Sequence, residues 1–172
     1  GFKDLLRRIH RTFLRKALLS HGVLGGVTGK TVGEFVDQHC GQEAVFSIDL
    51  KSFFPSIGSG KVFTIFFSSG CTTEIAGLLT DLVTLDGSVP QGFPTSPMIA
   101  NLAAHGLDRQ QIDICRMAGI RRTRWIDDIV FSGSYRSLSR CTSRLIGAVR
   151  HHGFEVNNSK AVIEGLFNRK SD

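Results

Sequence analysis

Arg124-Trp125-Ile126-Asp127-Asp128-Ile129-Val130-Phe131 sets two adjacent carboxylates inside an otherwise apolar, β-branched run. Burying even one unpaired carboxylate is costly, so two side by side require a cation or a turn open to solvent. Arg121 to Ile126 and Ile129 to Ser132 each read as a short strand, which predicts Asp127 and Asp128 at the tip of a tight hairpin facing a cleft. In isolation the pair is equally well explained as an ordinary turn, where Asp is common. The decision rests on which other carboxylates the fold delivers to the same place.

Upstream, Glu43 to Leu50 reads as a buried strand that carries Asp49 near its end, with Pro55 closing the segment. Helical patterns follow over Lys61 to Ser68 and Thr73 to Thr84, both packing elements. Val89-Pro90-Gln91-Gly92-Phe93-Pro94-Thr95-Ser96-Pro97 is a rigid turn, with Ser96 as N-cap and Pro97 at the first helical position of a helix to about Ala118. Beyond the hairpin an amphipathic helix spans Ser137 to His152, stopped by Gly153. Phe154 to Asn157 and Ala161 to Phe167 close the chain as short strands. Strand, long helix, hairpin, helix, strand is the α+β, ferredoxin-like βαββαβ pattern. It places the first strand beside the hairpin at the centre of the sheet, with Asp49 facing Asp127.

Asp49, Asp127 and Asp128 gathered on neighbouring strands make a hard-oxygen site suited to magnesium, which favours carboxylate, water and phosphate ligands. Two such ions can activate a 3′-hydroxyl and neutralise a leaving pyrophosphate, the chemistry of nucleotidyl transfer. In-line phosphoryl displacement asks the protein for positioning and charge rather than a nucleophilic side chain.

The composition agrees with a polyanionic partner. The 172 residues suffice for one domain with a real core, and the net charge of +6 with a pI near 9.5 favours nucleic acid. No apolar run reaches membrane-spanning length. Cys40, Cys71, Cys115 and Cys141 are widely spaced and form no CxxC, signalling neither zinc nor a disulfide scaffold; a reducing, cytoplasmic setting is expected, with no export leader at the N-terminus. From Phe2 to Leu19 apolar residues recur at helical spacing among Lys and Arg, a basic amphipathic helix suited to a phosphate backbone or simply to covering the core. Gly25-Gly26-Val27-Thr28-Gly29-Lys30-Thr31 has the look of a phosphate loop, but Leu24 stands where a Walker A needs Gly and no strand precedes it. A flexible turn capping a helix from Thr31 to His39 is the expectation.

Read together, these segments resemble reverse transcriptases. Asp49 with Phe53-Phe54-Pro55-Ser56-Ile57 resembles motif A of that family, and Pro90-Gln91-Gly92-Phe93-Pro94-Thr95-Ser96-Pro97 through Asn101-Leu102 resembles motif B. Trp125-Ile126-Asp127-Asp128 resembles motif C, and Gly153-Phe154-Glu155-Val156-Asn157 with Lys160 is similar to motif D. The wording of these segments, with His21-Gly22 upstream, is most similar to the bacterial retron and phage-defence branch.

The resemblance implies a polymerase palm over 43–172, preceded by helical residues 1–42 from part of the fingers. The rest of the fingers would lie before Gly1, and no thumb would follow within the chain. It further implies an RNA-directed DNA polymerase that uses two Mg²⁺ ions, with Mn²⁺ as a substitute, and takes deoxynucleoside triphosphates, an RNA template and a nucleic-acid primer. Asp49 and Asp127 would be the main metal ligands, Asp128 a supporting carboxylate and Leu50 a backbone-carbonyl ligand. Gln91 and Gly92 would contact the incoming nucleotide or template, Phe54 would lie under the sugar, and Lys160 would reach or protonate the phosphates. Trp125 departs from the family's usual Tyr or Phe, and Val27 from its Arg. Template-independent DNA synthesis and a non-catalytic nucleic-acid-binding palm are the alternatives.

Overall fold

A computed structural model describes residues 1–157 and the backbone of Ile163–Gly165. Residue contacts divide the chain into two compact units, one formed by Gly1–Ser20 with Ser52–His105, the other by His21–Lys51 with the chain from Gly106 onward.

The second unit holds the sheet. Its strands are β1 (Ala44–Asp49), β2 (Arg121–Trp125), β3 (Asp128–Gly133) and β4 (Ile163–Gly165), in the order β2-β3-β1-β4 with every neighbouring pair antiparallel. This is the ferredoxin-like βαββαβ arrangement, and β1 is central as the sequence predicts. Ala44, Phe46, Ile48, Ile129 and Phe131 are buried, and the alternation puts them on one face. Phe46 is paired with Phe131 and stacks on it at 5.8 Å, while Ile48 opposes Ile129. A one-residue slip would turn these four side chains to the opposite face, so they pin the register between β1 and β3. One helix, α1 (Tyr135–His151), packs on β1 and β3 and buries Leu138, Leu145, Ala148 and Val149. It is capped by Ser134, whose side chain accepts from the Ser137 amide, and the chain leaves it through Gly153 at φ +78°. A second helix, α2 (His105–Ala118), buries Leu107, Gln111 and Ile114, and Gln111 Nε2 donates to the Leu145 carbonyl. A short helix, α3 (Val32–Asp37), starts at Thr31, whose hydroxyl accepts from the Glu34 amide.

The first unit is helical. Its N-terminal helix runs Phe2–Ile9, continues as a wider π-turn over His10–Leu14, and ends short of the expected Leu19. It buries Leu6, Ile9 and Leu14, and sets Phe2 edge-on to Phe93 and Phe13 edge-on to Phe66. Helices Ser59–Ser68, Thr73–Val83 and Ser96–Ala103 make up the rest. The single helix expected from Ser96 to Ala118 is two, because Ala104 relaxes to ψ 0° and ends the first. Thr95, not Ser96, occupies the N-cap position; Ser96 Oγ instead donates to the Pro90 carbonyl and ties the Pro-rich turn to its helix.

Candidate active site

The carboxylates sit where β1 meets the β2–β3 hairpin. The hairpin is shifted by one residue from its sequence reading: Trp125 pairs with Asp128, so the loop is Ile126-Asp127 and Asp128 is the first residue of β3. The register that pairs Ile48 with Ile129 also pairs Asp49 with Asp128, so these two carboxylates share one face of the sheet. Asp127 was expected opposite Asp49; it lies one position earlier, in the turn, and its carbonyl accepts from the Leu50 amide at 3.0 Å. The favoured two-residue hairpin turns have a positive φ at their first residue, and Ile126 supplies it at +58°. A β-branched residue there is strained, so surrounding contacts must hold it.

Asp49 is fastened from the other side. Its carbonyl accepts from the Asn157 amide at 2.8 Å, and its Oδ2 accepts from Asn157 Nδ2 at 3.0 Å. Leu50 is buried and bridges to Val156, and the Lys51 amide donates to the Glu155 carbonyl. The end of β1 is therefore gripped between the turn and residues 155–157.

Beneath the hairpin lies a polar cluster that sequence reading missed. β2 reads Arg-Arg-Thr-Arg-Trp, yet Arg122 and Arg124 are buried, pointing inward with Phe131 and Ile129 as their β3 partners. Arg124 grips Asp108 of α2 through two parallel bonds, Nε to Oδ1 at 2.8 Å and Nη2 to Oδ2 at 2.7 Å. Its Nη1 donates to the Ile126 carbonyl at 2.7 Å. Arg122 also reaches Asp108, at 2.5 Å, and Gln111, at 3.0 Å. Burial pushes the Asp108 carboxyl up, but the two guanidiniums outweigh it and hold the group below its ordinary range. The available signal was basic residues at consecutive inward positions of an otherwise apolar hairpin, which demands a buried acid.

On the sheet face that carries Asp49, His39 bonds Ser132 Oγ and Thr123 Oγ1, both at 2.6 Å. Burial, aided by Arg121, pushes the imidazole down to about 4, so it is neutral at pH 7. Trp125 lies 6.2 Å from Phe35, ring to ring. Gly25 belongs to a segment that runs beside β2: Val23 bridges Arg124 in parallel, and the Leu24 amide donates to the Arg124 carbonyl. The glycine is there for close approach, since a Cβ would stand 2.4 Å from the Ile126 nitrogen.

In the first unit, Phe53 is buried and Phe54 half-buried, with ring centroids 5.8 Å apart. Gln91 and Gly92 are exposed in their turn, Gly92 at φ +94°. Lys160 lies outside the described residues.

Among the described residues no three His, Cys, Asp or Glu side chains converge as a ready-made metal cage. Magnesium does not need one: it is commonly held by one or two carboxylates, with substrate phosphates and water completing the shell. Asp49 and Asp128 on one face, with Asp127 adjoining in the turn, are hard-oxygen donors that fit such an ion.

The chain belongs to the reverse transcriptase (RNA-dependent DNA polymerase) family, which it matches over residues 3–165. Its relatives include the retron Ec86 reverse transcriptase of Escherichia coli, 33% identical over 95% of this chain and 51% of that protein. The retron Mx65 reverse transcriptase of Myxococcus xanthus is 32% identical over 94% of this chain and 42% of its own length. The chain thus spans about half the length of the curated relatives it matches. Among solved structures, telomerase from Candida albicans in complex with a fragment of telomeric RNA superposes with a TM-score of 0.63 at 8% identity, over 96% of this chain and 35% of that one. A truncated apo telomerase from Candida tropicalis gives 0.61 at 11%, over 99% and 40%. At such identities the likeness speaks for the polymerase palm fold alone.

Proposed function

We propose that the chain carries the catalytic core of an RNA-directed DNA polymerase, joining deoxynucleoside triphosphates to a primer 3′-hydroxyl along an RNA template. The observation that carries this reading is the β1–β3 register, which puts Asp49 beside Asp128, with the Asp127 turn bonded to Leu50, the residue that follows β1. We assign Asp49 and Asp127 as the main ligands of two Mg²⁺ ions, with Asp128 and the Leu50 carbonyl in support. When bound, such ions lower the pKa of the attacking hydroxyl and neutralise the leaving pyrophosphate.

What the chain supplies is position. Asn157 orients the Asp49 carboxylate by donating to its Oδ2. The hairpin loop presents Asp127 at its tip, and Leu50 anchors that tip through the Asp127 carbonyl. Gln91 and Gly92 are assigned to the incoming nucleotide or the template, their exposed turn leaving both free to be covered by a ligand. The half-buried Phe54 is assigned to the sugar, where its ring would exclude a 2′-hydroxyl, and Lys160 to the phosphates. Residues 1–42 are assigned to the fingers and 43–172 to the palm, acting in a cytoplasmic, retron-type setting.

The test is primer extension on an RNA template, a DNA template and no template, with each nucleotide set. RNA-dependent deoxynucleotide incorporation is expected. Equal extension without template would identify untemplated synthesis instead, and no extension under any condition would refute a catalytic role for this chain.

A further inference from the structure

We infer that Arg124, anchored by Asp108, is a positioning residue that clamps the strained Ile126-Asp127 turn and so sets where the Asp127 carboxylate stands. The inference rests on the polymerase reading for its consequence in catalysis, though the clamp itself is a matter of geometry.

Three observations converge on it. Ile126 holds a positive φ that a β-branched residue does not adopt without external support. Its carbonyl accepts a charge-assisted bond from Arg124 Nη1 at 2.7 Å, in a part-buried setting. The guanidinium that makes this bond has no freedom to wander, because its other two nitrogens each donate to an oxygen of Asp108, itself 1% exposed. A planar guanidinium alone can bond a carboxylate through two parallel hydrogens while a third points elsewhere; a lysine ammonium cannot reproduce that fork. Asp108 is in turn steadied by Arg122, which Gln111 orients, and Gln111 is bonded to the Leu145 carbonyl of α1. The turn is thereby referenced to two core helices rather than to the hairpin alone.

Arg122 provides the internal control. It is buried to a similar degree and bonds the same carboxylate, but among the described residues its side-chain bonds go to Asp108 and Gln111 and not to the turn. A role in stability alone makes exchange in the turn and kcat follow melting temperature in variants of either arginine; a clamp separates them at Arg124.

The experiment compares Arg124→Lys, Arg122→Lys and the apolar triple Asp108→Leu/Arg122→Met/Arg124→Met in the full chain. The triple removes the clamp without leaving a buried unpaired charge, a class of replacement that is often neutral or stabilising. Each protein is measured for melting temperature, hydrogen exchange at amides 125–128, Mn²⁺ binding by water proton relaxation, and kcat and KM for deoxynucleotide incorporation. Exchange in the turn is expected to quicken tenfold or more in Arg124→Lys and in the triple, but not in Arg122→Lys. Mn²⁺ binding should weaken in the same two proteins, and kcat should fall about 10²-fold with little change in KM. If Arg124→Lys does not fold, the triple decides. Exchange and kcat that follow melting temperature alike in all three proteins overturn the inference, as does an unchanged turn in the folded triple. If the unaltered chain incorporates no nucleotide, the polymerase reading has failed, and exchange with Mn²⁺ binding still judges the clamp.

Discussion

Gly25→Ala is the smallest change that should reach the site from outside it. A Cβ at this position would stand 2.4 Å from the Ile126 nitrogen and 2.8 Å from the Trp125 Cα and carbonyl carbon, all of them backbone atoms. Real Cβ contacts essentially never fall under 3.0 Å, so the two segments must part by at least about 0.6 Å, and by about 1 Å to reach ordinary contact. No flexible side chain can absorb the movement. The Leu24 bond to the Arg124 carbonyl ties the moving segment to β2, so the displacement falls on the turn that presents Asp127. Overpacking of this kind costs about 1 to 3 kcal/mol in stability. A misplacement near 1 Å at a reacting centre costs on the order of 10²-fold in rate, equivalent to about 2.7 kcal/mol of activation free energy. Single-turnover incorporation by the folded protein, read beside thermal unfolding, separates the two costs. Gly147→Ala is the control: it is exposed in α1, a Cβ there meets nothing within 4 Å, and the protein should gain about 0.5 to 1 kcal/mol. Folded Gly25→Ala protein that turns over at the unaltered rate would refute the link between this close approach and the geometry of the carboxylates.

Asp127→Asn keeps the turn's shape and removes its charge, so Mg²⁺-dependent incorporation should disappear while circular dichroism and melting stay near those of the parent; retained incorporation would sink the metal assignment. Phe54→Val should raise the ratio of ribo- to deoxynucleotide incorporation efficiency, whereas a purely packing role predicts lower stability, within about 3 to 5 kcal/mol, and an unchanged ratio. His39 predicts acid sensitivity. Its folded pKa of about 4 lies below the 6.5 of the free side chain, so the unfolded chain binds the extra proton first. Its contribution is whole above about pH 6.5 and is lost as pH falls toward 4, at up to about 1.4 kcal/mol per pH unit. Urea unfolding across that window should show the slope in the parent and a flatter one in His39→Gln; identical slopes would remove His39 from the account.

Local pattern was enough for much of this protein. Alternation in Glu43–Leu50 and around the Asp pair, helical spacing after Pro97 and from Ser137, and Gly153 as a stop specify the order of strands and helices, because those signals depend on neighbours a few residues apart. The same local reading picked out Asp49, Asp127 and Asp128, since acids in apolar strands are costly without a purpose. Tertiary structure decided the rest. Which carboxylate opposes Asp49 follows from the pairing of Phe46 with Phe131 and Ile48 with Ile129, an agreement between strands some 80 residues apart. The inward turn of Arg122 and Arg124 depends on Asp108 arriving from α2 to neutralise them, and without that acid the same arginines would belong in water. Gly25 likewise reads as a flexible turn until the backbone of Ile126 comes within reach of its absent side chain. Periodicity records which face of an element is buried, but what meets that face is set by packing between distant segments, and the support of this site is built from such meetings.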